Sequence, residues 1–156
     1  MPPLAIIAAL AVQGSDLQVA GSETRSMMFM DLYELTVSDP DGRLTPGDLS
    51  DESVPKTIAI KVLYDGSVPE IPKGWSEELM PALPGEEWRD LREAYRALGE
   101  GDEIVLTYRP DQGTRIEKNG KTIVGEPGHE AAAAALDVWF GETPVSDDIK
   151  NAILAD

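Results

Sequence analysis

The stretch Gly101-Asp-Glu-Ile-Val-Leu-Thr-Tyr-Arg-Pro-Asp-Gln-Gly-Thr-Arg-Ile-Glu-Lys-Asn-Gly-Lys-Thr-Ile-Val-Gly125 decides the fold. Its first part, Glu103 to Tyr108, is rich in β-branched and aromatic residues and reads as a strand, which the Pro110–Gly113 turn reverses. Thr114 to Lys118 then meets Asn119-Gly120, the strongest short hairpin signal, and returns as Lys121 to Val124. The result is a three-stranded antiparallel meander. A helix over Glu130 to Phe140 follows, with Leu136 and Trp139 or Phe140 facing the core and five alanines permitting close approach. Ser146 caps a last helix that runs to Leu154. His129, at the entrance of the Ala-rich helix, is expected to be a solvated first-turn residue.

Upstream, Lys56 to Tyr64 alternates as a strand, and Trp88, Leu91, Tyr95 and Leu98 lay an apolar stripe along a helix from about Glu86 to Leu98. An earlier helix is expected to open at Ser76 and close at Pro81 or Pro84. Asp16 to Ala20 reads as a half-buried strand. Gly21-Ser22 is expected to turn the chain into one long extended segment, Thr24 to Val37, whose alternation fails at Met27-Met28-Phe29-Met30 through two-sided burial or a bulge. Ser38 to Pro55 is turn chemistry throughout and reads as a loop. Asp39-Pro-Asp-Gly42 begins like a calcium loop but lacks the later ligands, so a turn is expected and no metal.

With 156 residues the chain has room for one full core. The expected organisation is a single domain over residues 16–156, preceded by an apolar segment (residues 1–15). That segment is either a first strand or a signal remnant: Ala9-Leu10-Ala11 fits a cleavage pattern, but no basic residue precedes it. A signal would put the protein in the periplasm or outside the cell; otherwise it is cytoplasmic. Leu4 to Val12 is too short to span a bilayer, so no stable membrane insertion is expected. A net charge of −16 opposes nucleic acid and anionic membranes. The absence of cysteine excludes thiolate catalysis and disulfides. No phosphate loop or nucleophile elbow is present, and no cofactor is expected.

Several residues together resemble the chalcone isomerase-like superfamily, especially its bacterial members. They are Gly101-Asp102, Tyr108-x-Pro110, Gly113-Thr-Arg115, Asn119-Gly-Lys121, Gly125 and Trp139-Phe-Gly-x-x-Pro-Val145 with Ile149-Lys150, and upstream Gly21-x-x-x-Arg25 and Tyr33. The resemblance implies an α+β fold, an open-faced β-sandwich in which a large antiparallel sheet carries helices on one face. It implies a ligand cleft between helices and sheet.

Arg25 is the leading site candidate. An arginine in an otherwise apolar segment needs an anion or an acidic partner, and its fork holds a carboxylate on two hydrogen bonds. Even spacing would keep Tyr33 on the same face of an extended segment. The plainer alternative pairs Arg25 with Asp31, Glu34 or a loop carboxylate and lets Tyr33 merely pack. The resemblance implies more: its enzymes use the matching arginine on an enone–phenolate, and its fatty-acid binders use arginine and tyrosine on a carboxylate. It also implies that Trp75 and Ala82 stand where the isomerases carry a catalytic tyrosine and an asparagine, so the carbonyl-polarising network is absent.

The expectation is therefore a monomer that binds a fatty acid or similar amphiphile without turning it over. Arg25 and Tyr33 would take the carboxylate, and Trp75, Leu79, Trp88 and Leu91 would line the apolar part. Two alternatives stay open: an intramolecular lyase or isomerase that closes a chalcone to a flavanone with Arg25 as electrostatic catalyst, and a structural protein with a closed cleft.

Overall fold

Among the described residues, alternating apolar side chains build six strands, and each pairs antiparallel with the next in chain order. They are β1 (Gln18–Met27), β2 (Met30–Asp39), β3 (Lys56–Val62), β4 (Glu103–Arg109), β5 (Gly113–Lys118) and β6 (Lys121–Glu126). The helices are α1 (Pro46–Ser50), α2 (Glu70–Leu79) with a 3-10 turn at Met80–Ala82, α3 (Gly85–Arg96), α4 (Glu130–Phe140) and α5 (Asp147–Ile153). This computed structural model describes residues 17–65 and 70–155, so the apolar segment (residues 1–15) lies outside the described residues.

The register explains the core. Val37, Ile58, Leu106, Ile116 and Val124 lie opposite one another across five strands, and Leu35, Ile60 and Ile104 form the neighbouring row. Directly opposed residues share a face, so these rows make one continuous apolar surface. Helices cover it: α4 brings Ala131, Ala132, Ala135, Leu136 and Trp139, and α2 brings Trp75 and Leu79, all buried in the same cluster. Small alanine side chains let α4 settle close to the sheet. Each large apolar side chain so buried contributes about 1.5–3 kcal/mol.

The expected α+β open sheet is present, and its C-terminal half follows the sequence reading closely. Four expectations upstream are corrected. Gly21-Ser22 does not turn the chain but lies inside β1, with Gly21 opposite Val37. Thr24 to Val37 is not one extended segment: Met28 and Phe29 form a two-residue turn between β1 and β2, both with positive φ (51° and 67°). The loop after Ser38 contains α1, which Thr45 caps through a reciprocal capping box with Asp48. Finally, α2 begins by Glu70 rather than Ser76, and Pro72 falls in its first turn, where a missing N–H costs nothing.

Gly113 marks a close approach as well as a positive φ of 85°. A Cβ there would press on the Glu126 carbonyl oxygen and lie 2.8 Å from the Pro127 Cα, both rigid backbone. Gly120 has the same φ and open space around it. Gly113→Ala is therefore expected to lose at least ~2 kcal/mol of unfolding free energy and Gly120→Ala about 1 kcal/mol. Equal losses in denaturant titrations of the two variants would contradict this account of the β5–β6 corner.

Candidate functional site

Arg25 and Tyr33 face each other directly across the β1–β2 ladder. Even spacing along a single strand is not what sets them on one face, because they lie on different strands. The hairpin achieves the same end by pairing, because opposed residues share a face. Leu32 is the extra residue where the ladder slips between Arg25 and Ser26, and its carbonyl accepts from the backbone N–H groups of Leu63 and Tyr64. Such a bulge re-aims the neighbouring side chains. Tyr33 is fully buried on the helix-covered face.

The Tyr33 hydroxyl accepts a hydrogen bond from Trp139 Nε1 at 3.0 Å. From there a chain of edge-to-face rings crosses the core. Tyr33 meets Trp139 at 6.5 Å between centroids, Trp139 meets Trp75 at 5.9 Å, and Trp75 meets Tyr95 at 4.8 Å. At the far end, Trp75 Nε1 and the Tyr95 hydroxyl are buried without a hydrogen-bond partner among the described residues. A buried N–H or O–H left so costs on the order of 1–3 kcal/mol, which makes both atoms candidates for a bound polar group or a water.

Arg25 is half-buried and borders a cleft of about 200 Å³ between β1 and α5, lined also by Glu23, Thr24, Ser26, Ser146, Asp148 and Ile149. Trp75, Leu79 and Leu91 are fully buried in the main core, and Trp88 packs partly buried against it. The structure thus brings Arg25 and Tyr33 together and links Tyr33 to Trp75 through Trp139. It does not place Tyr33, Trp75, Leu79, Trp88 or Leu91 on the walls of the Arg25 cleft. Sequence reasoning did not assign Trp139 and Tyr95 to the site. The Leu91–Tyr95 helical spacing announced burial, but nothing in it announced an unpaired phenol.

A second buried polar cluster was also missed. His129 is buried, contrary to the expected solvated residue. Lys56 Nζ donates to its Nε2 at 2.9 Å, and to the carbonyls of Asp48 at 2.6 Å and Asp51 at 3.2 Å. Tyr108 stacks edge-on against His129 at 4.5 Å and donates its hydroxyl to the Glu52 carbonyl. Together these contacts tie the α1 region down onto β3, β4 and the start of α4. Burial brings the Lys56 ammonium down to about 8 against the pull of Asp48 and Asp51. Burial, then the Lys56 charge, lowers His129 as well.

In the same region Asp39, Asp41 and Asp48 hold carboxylate oxygens within 4.8 Å of one another. Protein groups already engage all three. The Arg43 N–H donates to Asp39 at 2.9 Å and to Asp41 at 3.2 Å, and Asp48 accepts from the Thr45 N–H at 2.9 Å. Burial, then the hydrogen bond that its protonated form donates to Asp41, pushes Asp39 up to about 6.

The architecture is that of an α+β protein with an open antiparallel sheet and a polar pair under its helical cover. The family model described as chalcone isomerase-like matches residues 4–155, and the chain belongs to that family. Among solved structures, the fatty-acid binding protein AtFAP1 of Arabidopsis thaliana superposes with a TM-score of 0.61 at 13% identity, covering 90% of this chain and 87% of its own. No curated protein matches in sequence.

Asp39 gives a pH test of the acidic corner. Its folded pKa lies above the ordinary 3.8, so between about 4 and 6 the folded state holds a proton that the unfolded state releases. Its contribution is fully present below that window and is lost as pH rises through about 6. Asp39→Asn keeps the acceptor for Arg43 and is expected to leave the protein more stable at pH 7 by on the order of 1–3 kcal/mol, with little change at pH 4. Denaturant titrations with the same wild-type-to-variant difference at both pH values would refute the assignment.

Proposed function

We propose that the protein binds a fatty acid or similar amphipathic carboxylate without turning it over, the carboxylate being held by Arg25 and Tyr33. The observation that carries the reading is the direct opposition of these two residues on the covered face, with the Tyr33 hydroxyl fixed by Trp139. An indole N–H can only donate, so accepting from it turns the Tyr33 hydroxyl hydrogen away from Trp139. A guanidinium fork and a phenol are the donors that a carboxylate needs in an apolar setting. The fatty-acid ligand of the structural neighbour AtFAP1 supports the same ligand class.

The cleft of about 200 Å³ is smaller than the roughly 300–1,000 Å³ of ordinary small-molecule sites, so it suits the head group and not a long tail. In this reading the tail enters between α2 and the sheet, against Trp75, Leu79 and Leu91 with Trp88 at the rim, and α2 moves outward to admit it. The isomerase alternative draws on a separate observation. The buried Trp75 N–H and Tyr95 O–H are two donors that could polarise a carbonyl even though the tyrosine and asparagine of the enzymes are missing.

Native mass spectrometry of the protein after exposure to a long-chain fatty acid tests the proposal. Retention of one ligand is expected, with Arg25→Ala weakening it roughly 10- to 100-fold, the worth of a charged hydrogen-bonded contact. Turnover of a chalcone to a flavanone above the spontaneous rate, lost in Arg25→Ala, would establish the enzyme instead. No ligand retained by wild type would favour the closed structural protein.

A further inference from the structure

The exposed apolar surface of the described residues is concentrated at one point. Of the six large apolar side chains that stand exposed there, four are consecutive: Met27, Met28, Phe29 and Met30, with Phe29 at 106% of full exposure and Met28 at 84%. They form the tip of the β1–β2 hairpin, and the turn itself is Met28-Phe29. Both turn residues have positive φ, the left-handed conformation that such a turn normally assigns to Asn and Gly. Two bulky side chains in that conformation are strained, and both stand exposed with no packing from the described residues in return. Strain that persists without a packing reward points to function.

We propose that this tip is a shallow anchor for a neutral, zwitterionic lipid surface, from which the protein collects or delivers its amphiphile. The proposal rests on the carboxylate-binding reading for its purpose. Three observations favour a bilayer over a protein partner. The tip is convex and carries apolar surface on the order of 500 Å² at most. A stable protein interface buries about 800 Å² on each side around a flat or concave centre. Unbranched methionine and an aromatic ring are suited to dipping into the boundary between head groups and acyl chains. The tip is also continuous with the candidate site, because Ser26, next to Met27, lines the Arg25 cleft.

Charge decides which lipid. Glu23, Asp31 and Glu34 flank the tip along β1 and β2, and the whole chain carries −16. An anionic surface would repel this edge, whereas phosphatidylcholine presents its cationic choline outward. The attraction is therefore apolar and persists at high salt, where a charge-driven contact would be screened.

The test is flotation of the full chain with dioleoylphosphatidylcholine vesicles, for wild type and for the double variant Met28→Asn/Phe29→Gly. That variant supplies the residues the turn geometry prefers, so its fold is expected to be at least as stable as wild type. Wild type is expected to float with the vesicles at both low and high salt, and the variant to lose partitioning roughly tenfold or more. Fatty-acid affinity measured without vesicles should be equal in the two proteins. Wild type remaining unbound, or floating no better than the variant, would overturn the proposal. So would a dimer in sedimentation that the double variant abolishes, because a second copy would then be what covers the tip. Failure of both proteins to bind fatty acid in buffer would count against the carboxylate reading alone, since flotation reads the anchor separately.

Discussion

The hydrogen bond from Trp139 to Tyr33 is the contact on which the rest of this arrangement depends. It joins α4 to β2 across 106 residues of chain, and it does so inside a fully buried region where neither partner has water to fall back on. The bond fixes the height at which α4 lies over the sheet. It also holds Tyr33, the cross-strand partner of Arg25, against Trp139, whose ring meets Trp75 of α2 at 5.9 Å. Sheet, cover and candidate site are thus set by one donor and one acceptor. Replacing the Tyr33 phenol by an apolar ring leaves the buried Trp139 N–H without the acceptor it has here, which is the expensive way to lose a hydrogen bond.

The family association and the site geometry carry different weights. The match over residues 4–155 establishes where the chain belongs. The structural likeness at 13% identity supports the fold and no more. The functional reading comes from the molecule: a guanidinium opposite a phenol under an apolar cover. At the far end of the ring chain the Trp75 indole N–H and the Tyr95 hydroxyl are buried, neither with a hydrogen-bond partner among the described residues. Binding and catalysis would use the same arginine and differ at the Trp75–Tyr95 end of the ring chain.

Legibility in the sequence followed the strength of local chemistry. Asn119-Gly120 encodes its turn outright, so β5 and β6 were readable to within a residue or two. The Ala-rich helix was readable from Glu130 to Phe140, with its stop at Gly141. Met28-Phe29 encodes nothing of the kind. A tight turn made by two bulky apolar residues runs against every turn preference, so the first hairpin looked like one long strand. Arg25 and Tyr33 share a face through cross-strand register, which no spacing along a single strand encodes. His129 and Lys56 are 73 residues apart, and only the tertiary fold brings them together. No local pattern could have shown that the lone histidine is buried against a lysine.

Arg25 and Tyr33 acting together on a carboxylate is the central claim, and carbon-13 NMR of a carboxyl-labelled long-chain fatty acid mixed with the protein tests it most directly. The account predicts a distinct bound carboxyl resonance that stays ionised well below the pH at which the free acid titrates, because a guanidinium and a phenol donor both favour the charged form. In Arg25→Ala that resonance should be lost or should titrate like the free acid. A bound carboxyl in wild type that titrates as it does in water, unchanged in the variant, would contradict the account.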